Sequence, residues 1–267
     1  MNTLSFLTSN YITRPCRYQA LQGWAQGIQI NNEYFRPLET FAERFGAMLA
    51  DIRELGFEAV DIWTAHLNWA WATDEHLIIA RDLLARHDLH VNSLVGNFGW
   101  TRENIIAACK VANTLGASLL SGMTYLLATD RSLLLSLLRD HDVKLGFENH
   151  LEKTPVELLR KIAGGSDVIG VTIDTGWFTT QQYSPVQAIQ ELRDQIVHIH
   201  LKDILAPGQH ETCLFGKGCV PVEECVYQLR KLKYSGSIGI EHEPVKGDPG
   251  ADCQTCLAMV RSWLERN

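Results

Sequence analysis

The sequence predicts an α/β chain folded as one (β/α)₈ barrel, a single domain over residues 1–267, and three observations predict it. Short apolar, β-branched runs alternate with amphipathic helical stretches along the whole chain. Eight such alternations fit the length, and strands separated by helices form a parallel sheet. A doubly wound open sheet competes, but its GxGxxG turn after the first strand is missing, as is any phosphate-loop lysine motif.

The predicted strands are Leu4–Ser9, Ala59–Trp63, His90–Val95, Ser118–Ser121, Val143–Glu148, Ile169–Asp174, Val197–Lys202 and Ser237–Glu241. Helical patterns between them include FAERFGAMLADIRELG, ENIIAACKVANTLG, SLLLSLLRD, PVELLRKIAG and PVQAIQELRD. Thr154-Pro155-Val156-Glu157 and Ser184-Pro185-Val186-Gln187 read as capping boxes with proline at the first helical position. Gly56 and Gly116 stand where two helices should stop. Residues 10–37, with Tyr11, Trp24, Tyr34 and Phe35, and residues 64–74 are too long for simple turns. Both leave the C-terminal end of a strand, the face where barrels of this kind carry their chemistry. Their aromatic content favours a packed lid over disorder.

Composition is ordinary for a globular protein, 46% hydrophobic and 21% charged, and a chain this long buries enough surface to fold without disulfides. The net charge of −7 and the lack of any basic run count against nucleic acid or an anionic membrane as partner. The N-terminus has no basic n-region and no apolar h-region, and no apolar stretch is long enough to span a membrane. A soluble, cytoplasmic protein is expected. The seven cysteines are scattered, and Cys253-Gln-Thr-Cys256 lacks the second pair that a zinc site would want, so they read as reduced structural thiols.

Strand parity locates the chemistry. Along a barrel strand, residues facing the helices are apolar and the alternate ones face the interior. In Val197-His198-Ile199-His200-Leu201-Lys202 the apolar members put His198, His200 and Lys202 inside. The same rule turns Glu148, Asp174 and Glu241 inward at the ends of their strands. Glu148, Asp174 and His200 follow one another at intervals of 26 residues, one strand–helix unit each time. Three carboxylates and an imidazole converging in one space repel. Two like charges 4 Å apart cost about 4 kcal/mol at an effective dielectric near 20. One divalent cation removes that cost, and mixed oxygen and nitrogen ligands suit Mn²⁺, Co²⁺, Zn²⁺ or Mg²⁺.

Gly146-Phe147-Glu148-Asn149-His150, Ile173-Asp174-Thr175-Gly176, His200-Leu201-Lys202-Asp203, Gly216-Lys217-Gly218 and Ile240-Glu241 resemble motifs of the xylose isomerase-like TIM barrel superfamily. The sugar phosphate isomerase/epimerase group is the branch they resemble most. The likeness runs from Gly56-Phe57-Glu58-Ala59-Val60-Asp61-Ile62-Trp63 to the last strand. It implies that Glu148, Asp174, His200 and Glu241 hold one metal ion, and that Glu148 and Glu241 move protons on opposite faces of a small carbohydrate. It further implies that His150 contacts substrate or a ligand carboxylate, unless it caps a loop. Lys202 either neutralises an enediolate or pairs with Asp203, which orients His200 or a loop. His198, one layer below His200, reads as a buried, hydrogen-bonded residue. Ketose 3-epimerases of this kind place a histidine three residues after the metal-binding aspartate. This chain departs from that with Trp177, which stacks on a sugar or packs. Trp63 and His66 are further substrate-binding candidates.

The expected activity is metal-dependent isomerisation or epimerisation of a keto-sugar or polyol ketone through an enediolate. The alternative is a dehydratase or lyase acting on a keto-sugar or inosose at the same residues. A three-zinc apurinic endonuclease fits poorly, since Trp177 occupies a ligand-type position and the net charge is negative. A non-catalytic sugar-binding barrel is the remaining reading. Whether the chain forms a homo-oligomer is left open.

Overall fold

Parallel pairing runs unbroken around eight strands and closes on itself. In the computed structural model, which describes residues 2–266, these strands are β1 (Leu4–Leu7), β2 (Ala59–Trp63), β3 (His90–Asn97), β4 (Leu119–Met123), β5 (Lys144–Glu148), β6 (Ile169–Asp174), β7 (Ile196–Ile204) and β9 (Ser237–Glu241). The ring order is β1 to β7 in sequence, then β9, which pairs back onto β1. A two-residue strand, β8 (Thr212–Cys213), pairs antiparallel with the end of β7 and lies outside the ring. The predicted (β/α)₈ barrel is therefore the fold.

The outward positions of the strands build the core against the helices. Val60, Ile62, Leu94, Leu120, Ile173, Ile199, Leu201 and Ile240 are all fully buried. In helix Leu38–Glu54, Phe41, Phe45, Met48, Leu49 and Ile52 fall on one face at helical spacing, and all are fully buried. Each such side chain contributes about 1.5–3 kcal/mol of transfer free energy, which makes this seam, rather than helix propensity, what holds the layer.

Several boundaries differ from the sequence reading. β1 stops at Leu7, because Thr8–Tyr11 coils into a 3₁₀ turn that takes Ser9 out of the strand. β3, β4 and β7 run past their predicted ends. Thr154 and Ser184 do cap, accepting from the N–H groups of Glu157 and Gln187, but each is half a box. The Glu157 carboxylate turns to the N–H of Lys153, and the Gln187 amide to Glu191. Reciprocal boxes occur instead at Thr73/His76 and Thr101/Asn104. Gly56 and Gly116 sit at helix stops with φ of +90° and +79°.

The two long segments pack on each other. Residues 10–37 contain a helix, Trp24–Phe35, whose Asn31 donates to the carbonyls of Ile12 and Gly27, both at 2.8 Å. In residues 64–74, Trp71 donates from Nε1 to Asn32 Oδ1 at 2.7 Å, and Leu67 is fully buried. All seven cysteines are free thiols; Cys253 and Cys256 lie on the buried face of helix Gly250–Glu265. Among the described residues no helix is long and apolar enough to cross a membrane.

Candidate metal centre and cavity

The ends of β5, β6, β7 and β9 are neighbours in the ring, and register sets their inward side chains level. Asp174 is paired with His200 and Lys202 with Glu241. His200 Nδ1 lies 2.6 Å from Glu148 Oε1 and 3.4 Å from Glu241 Oε2. Lys202 Nζ lies 3.0 Å from Asp174 Oδ2, 2.5 Å from Glu241 Oε1 and 3.3 Å from Glu243 Oε2. All of these side chains are at least nine-tenths buried.

Local sequence explains the aim of each group. Asp174 caps the short helix Thr175–Thr180, accepting from Trp177 N–H through Oδ1 at 2.9 Å, which leaves Oδ2 facing the site. Asn149 clamps the Asp174 backbone from both sides, its Oδ1 accepting at 2.8 Å and its Nδ2 donating at 3.0 Å. Thr175 Oγ1 does the same for Lys202, accepting from its N–H and donating to its carbonyl, both at 2.9 Å.

Three buried atoms here make no hydrogen bond among the described residues, Asp174 Oδ2, His200 Nε2 and Glu241 Oε2, although Asp174 Oδ2 is ion-paired with Lys202 and Glu241 Oε2 lies beside His200 Nδ1. They come from three of the four ligands expected from the sequence, and Glu148, His200 and Glu241 bring ligand atoms within 4.8 Å of one another. This donor set fits a divalent ion that accepts oxygen and nitrogen.

The electrostatics separate the two glutamates. Burial opposes ionisation of Glu148, but His200, His150 and Lys202 outweigh it and hold its carboxyl well below the usual range. Glu241 is pushed well above that range by burial, then by Glu243; Lys202 offsets only part. Burial opposes the His200 imidazolium, while Glu148, Asp61 and Asp174 favour it and raise its pKa on balance. The Lys202 ammonium resists burial in the same way through Asp174, Glu241 and Glu243, and its pKa is well above the usual value.

Below this layer, Asp61 of β2 is fully buried. It accepts from Ser5 and from Ser93 (2.7 Å), and its Oδ1 lies 3.4 Å from His198 Nε2. His198 Nδ1 meets Ser237 Oγ at 2.6 Å. His198 is thus the buried, hydrogen-bonded residue the parity suggests, one layer beneath His200.

Above it opens a cavity of about 720 Å³. Glu148, Glu241, His150, Lys202, Trp177 and Trp63 line it, while Asp174 and His200 are fully buried beneath. Trp177 packs against His150 and His210, with ring centroids at 5.0 and 4.4 Å. Glu152 accepts from the His150 N–H at 3.0 Å and is itself paired with Lys161.

His66 requires correction. It is fully buried, absent from the cavity wall and wedged between Phe35 and Trp63, with Nε2 3.0 Å from Asn31 Oδ1. Burial, reinforced by Arg14, lowers its pKa to about 3. It supports Trp63 and the overlying helix rather than reaching a ligand. The Lys202–Asp203 pairing does not form either. The Asp203 carboxylate instead accepts from the N–H groups of Gly216 (2.9 Å), Gly218 (3.0 Å) and Val220 (3.0 Å). Gly218 is required there, because a Cβ would collide with the Ile204 carbonyl and with Asp203 itself. Two ionisable cavity residues escaped the sequence reading. Glu243 continues the parity of Glu241 one step past the strand, a signal that was available. His210 sits in an irregular loop where no periodicity marks it.

Residues 49–263 match the xylose isomerase-like TIM barrel family. The chain belongs to that family. Among solved structures, this family member is similar to a xylose isomerase-like TIM barrel protein from Mycobacterium smegmatis in complex with magnesium. The TM-score is 0.72 at 16% identity, covering 99% of this chain and 97% of that one. It is also similar to D-allulose 3-epimerase from Methylomonas sp. in complex with D-allulose (TM-score 0.70, 13% identity, coverage 98% and 96%). A third is the probable 3-DHS dehydratase AsbF from Bacillus anthracis (TM-score 0.67, 15% identity, coverage 100% of both). No curated protein sequence matches the chain.

Proposed function

We propose that this xylose isomerase-like barrel is a divalent-metal-dependent isomerase or epimerase of a keto-sugar or related polyol ketone. The observation that carries the reading is the convergence of Glu148, His200 and Glu241, whose ligand atoms lie within 4.8 Å of one another under a cavity, with Asp174 beside them on the next strand end. Glu148, Asp174, His200 and Glu241 would hold the ion, and when bound it supplies Lewis-acid polarisation of substrate oxygens.

The chain's own groups then divide the proton work. Glu148 and Glu241 stand on strands separated in the ring by β6 and β7, so they flank whatever enters between them. Glu148, kept ionised, is suited to take the proton from the carbon beside a carbonyl. Glu241, across the site on β9, is placed to exchange a proton on the other face. Lys202, beside both Asp174 and Glu241, offsets negative charge gathering on the enediolate oxygens. His150 and Trp177 supply a wall for the sugar on the β5–β6 side.

A dehydratase is the second reading, supported by the likeness of the fold to the probable 3-DHS dehydratase and by the same pair of facing glutamates, which could serve a departing hydroxyl as well as a carbon. The test is incubation of Mn²⁺-reconstituted protein with a panel of ketoses in D₂O. Metal-dependent deuterium uptake without loss of water is expected, and Glu148→Gln should abolish it at saturating metal. An enone or diketone product selects the dehydratase. Full exchange in Glu148→Gln, or no metal-dependent reaction with any ketose, overturns the proposal.

A further inference from the structure

The cavity is divided, and the division follows strand order. Every ionisable side chain that the strands bring to the site belongs to β5, β6, β7 and β9, four consecutive members of the ring. The other four, β1 to β4, present Leu7, Trp63, Val95, Gly96, Asn97 and Met123 to the cavity, none of them charged. Over this second half lies helix Trp24–Phe35, with the Trp24 ring 5.4 Å from that of Trp63. Trp24 and Ile28 both line the cavity, yet remain 42% and 39% exposed. Water therefore covers an apolar aromatic wall directly across from the carboxylates, and its displacement favours an apolar occupant.

Several neutral polar groups around that wall are already engaged, while the buried Ser9 hydroxyl has no hydrogen-bond partner among the described residues. Asn32 Oδ1 accepts from Trp71 Nε1 and from Asn68 Nδ2 (3.1 Å), and Asn32 Nδ2 donates to Ile28 O. Asn68 Oδ1 takes the Ala70 N–H, and Trp69 Nε1 donates to Asn97 O. With these amides taken, Ser9 could match one hydroxyl of a second sugar ring but would leave most of the ring's hydroxyls unmet; a flat apolar group needs no partner. A phosphate is equally ill-suited. No arginine lines the cavity, and its one lysine, Lys202, is committed to Asp174, Glu241 and Glu243. The volume of about 720 Å³ belongs to sites for ligands larger than one sugar ring.

We propose that the β1–β4 half of the cavity is an aglycone subsite, and that the substrate is a neutral, unphosphorylated glycoside whose sugar ring itself bears the ketone and whose flat apolar aglycone is held against Trp24 and Trp63. This rests on the reading of the charged half as a sugar site. The test is calorimetric titration of the Mn²⁺-reconstituted full chain with methyl and 4-nitrophenyl glycosides of glucose, galactose, mannose and xylose, and with glucose and glucose 6-phosphate. For at least one sugar the nitrophenyl glycoside should bind about tenfold more tightly than the methyl glycoside, the equivalent of about 1.4 kcal/mol. Trp24→Ala should bring that ratio close to one, and Ile28→Asn, at a second exposed position, should reduce it. Trp100→Ala, outside the cavity, should preserve it. A ratio near one in the unmodified protein, a ratio that survives Trp24→Ala, or tighter binding of glucose 6-phosphate than of glucose overturns the subsite while leaving the sugar reading standing. Failure of every sugar and glycoside to bind overturns both.

Discussion

The ammonium of Lys202 lies 3.0 Å from the Asp174 carboxylate, buried with Glu241 and Glu243 also within 3.3 Å. One cation thus serves three anions at the spot where the chain's ligand groups converge. Lys202→Met should lower the stability of the metal-free protein by about 3–5 kcal/mol, the usual cost of breaking a buried pair from one side. The side chains are 9% exposed or less, so solvent screening does not erase this. The folded pKa of Lys202 is raised, so its contribution is complete below the unfolded value near 10.4 and is lost only as pH climbs through the folded one. Because a divalent ion restores the missing charge, Mn²⁺ should raise the melting temperature more in Lys202→Met than in the unmodified protein. Equal shifts would show that ion and ammonium do not share the same carboxylates.

Metal uptake should release protons. His200 has a raised pKa and Glu241 favours its neutral form, yet both must be deprotonated to ligate. Apparent affinity for Mn²⁺ should therefore rise with pH through the neutral range. Titrations in buffers of different ionisation enthalpy should give about one to two protons released per ion near pH 7. Heats independent of the buffer would contradict this. Without metal, the two glutamates pull stability in opposite directions. The Glu148 contribution is present above the unfolded value near 4.3 and is lost as pH falls through its depressed folded pKa. The Glu241 contribution is complete below that unfolded value and is lost as pH rises through its raised folded pKa.

The barrel and the converging residues were legible because both rest on strict periods. Alternation along a strand fixes which side chains face the interior, so Glu148, Asp174, His200, Lys202 and Glu241 could be placed together without coordinates. Where the chain leaves a strand the period ends. His66 follows β2 in an irregular turn, and nothing in its neighbours reveals that Asn31, 35 residues earlier, holds it in the core. Trp24 is the converse case, a residue of a long connection that a helix carries back over the cavity. The pairing of Lys202 with carboxylates of other strands, rather than with adjacent Asp203, depends on ring order that spacing alone does not give. Asp203 has the opposite parity and faces the loop it holds.

Beneath the site, Asp61 is the one carboxylate facing His198, with both side chains fully buried. Burial opposes its ionisation, but His198, His200 and the Ser5 hydroxyl hold its carboxyl below the ordinary range. Asp61→Ala removes the carboxylate facing that imidazole and the main acceptor of two hydroxyls, and should cost about 3–5 kcal/mol in denaturant unfolding. Asp61→Asn keeps the shape and one acceptor, and should cost less. If both cost under about 1 kcal/mol, the layer is not an ion pair but a set of independently satisfied groups.

Asp203 should govern the order of the loop after β7 rather than the barrel. Its carboxylate is the acceptor for three backbone N–H groups, those of Gly216, Gly218 and Val220, over a stretch with no regular structure between β8 and the helix Val222–Lys231. Hydrogen bonds to a charged acceptor contribute about 1.5–3 kcal/mol each, and three on one carboxylate are lost together. Asp203→Ala should therefore speed amide exchange at those three positions by on the order of 10²-fold or more, through local opening. Exchange at Ile199 and Ile240, in the closed ring, should change far less. Gly218→Ala should give the same local pattern, since its Cβ would displace the Ile204 carbonyl or the carboxylate itself. The adjoining connection 205–211, joined to that stretch through β8, carries His210 to the cavity wall beside Trp177, so ligand affinity should weaken in both variants while Mn²⁺ affinity is retained. Unchanged exchange at Gly216, Gly218 and Val220 in Asp203→Ala would mean that the turn is held by its own backbone and that the carboxylate is dispensable.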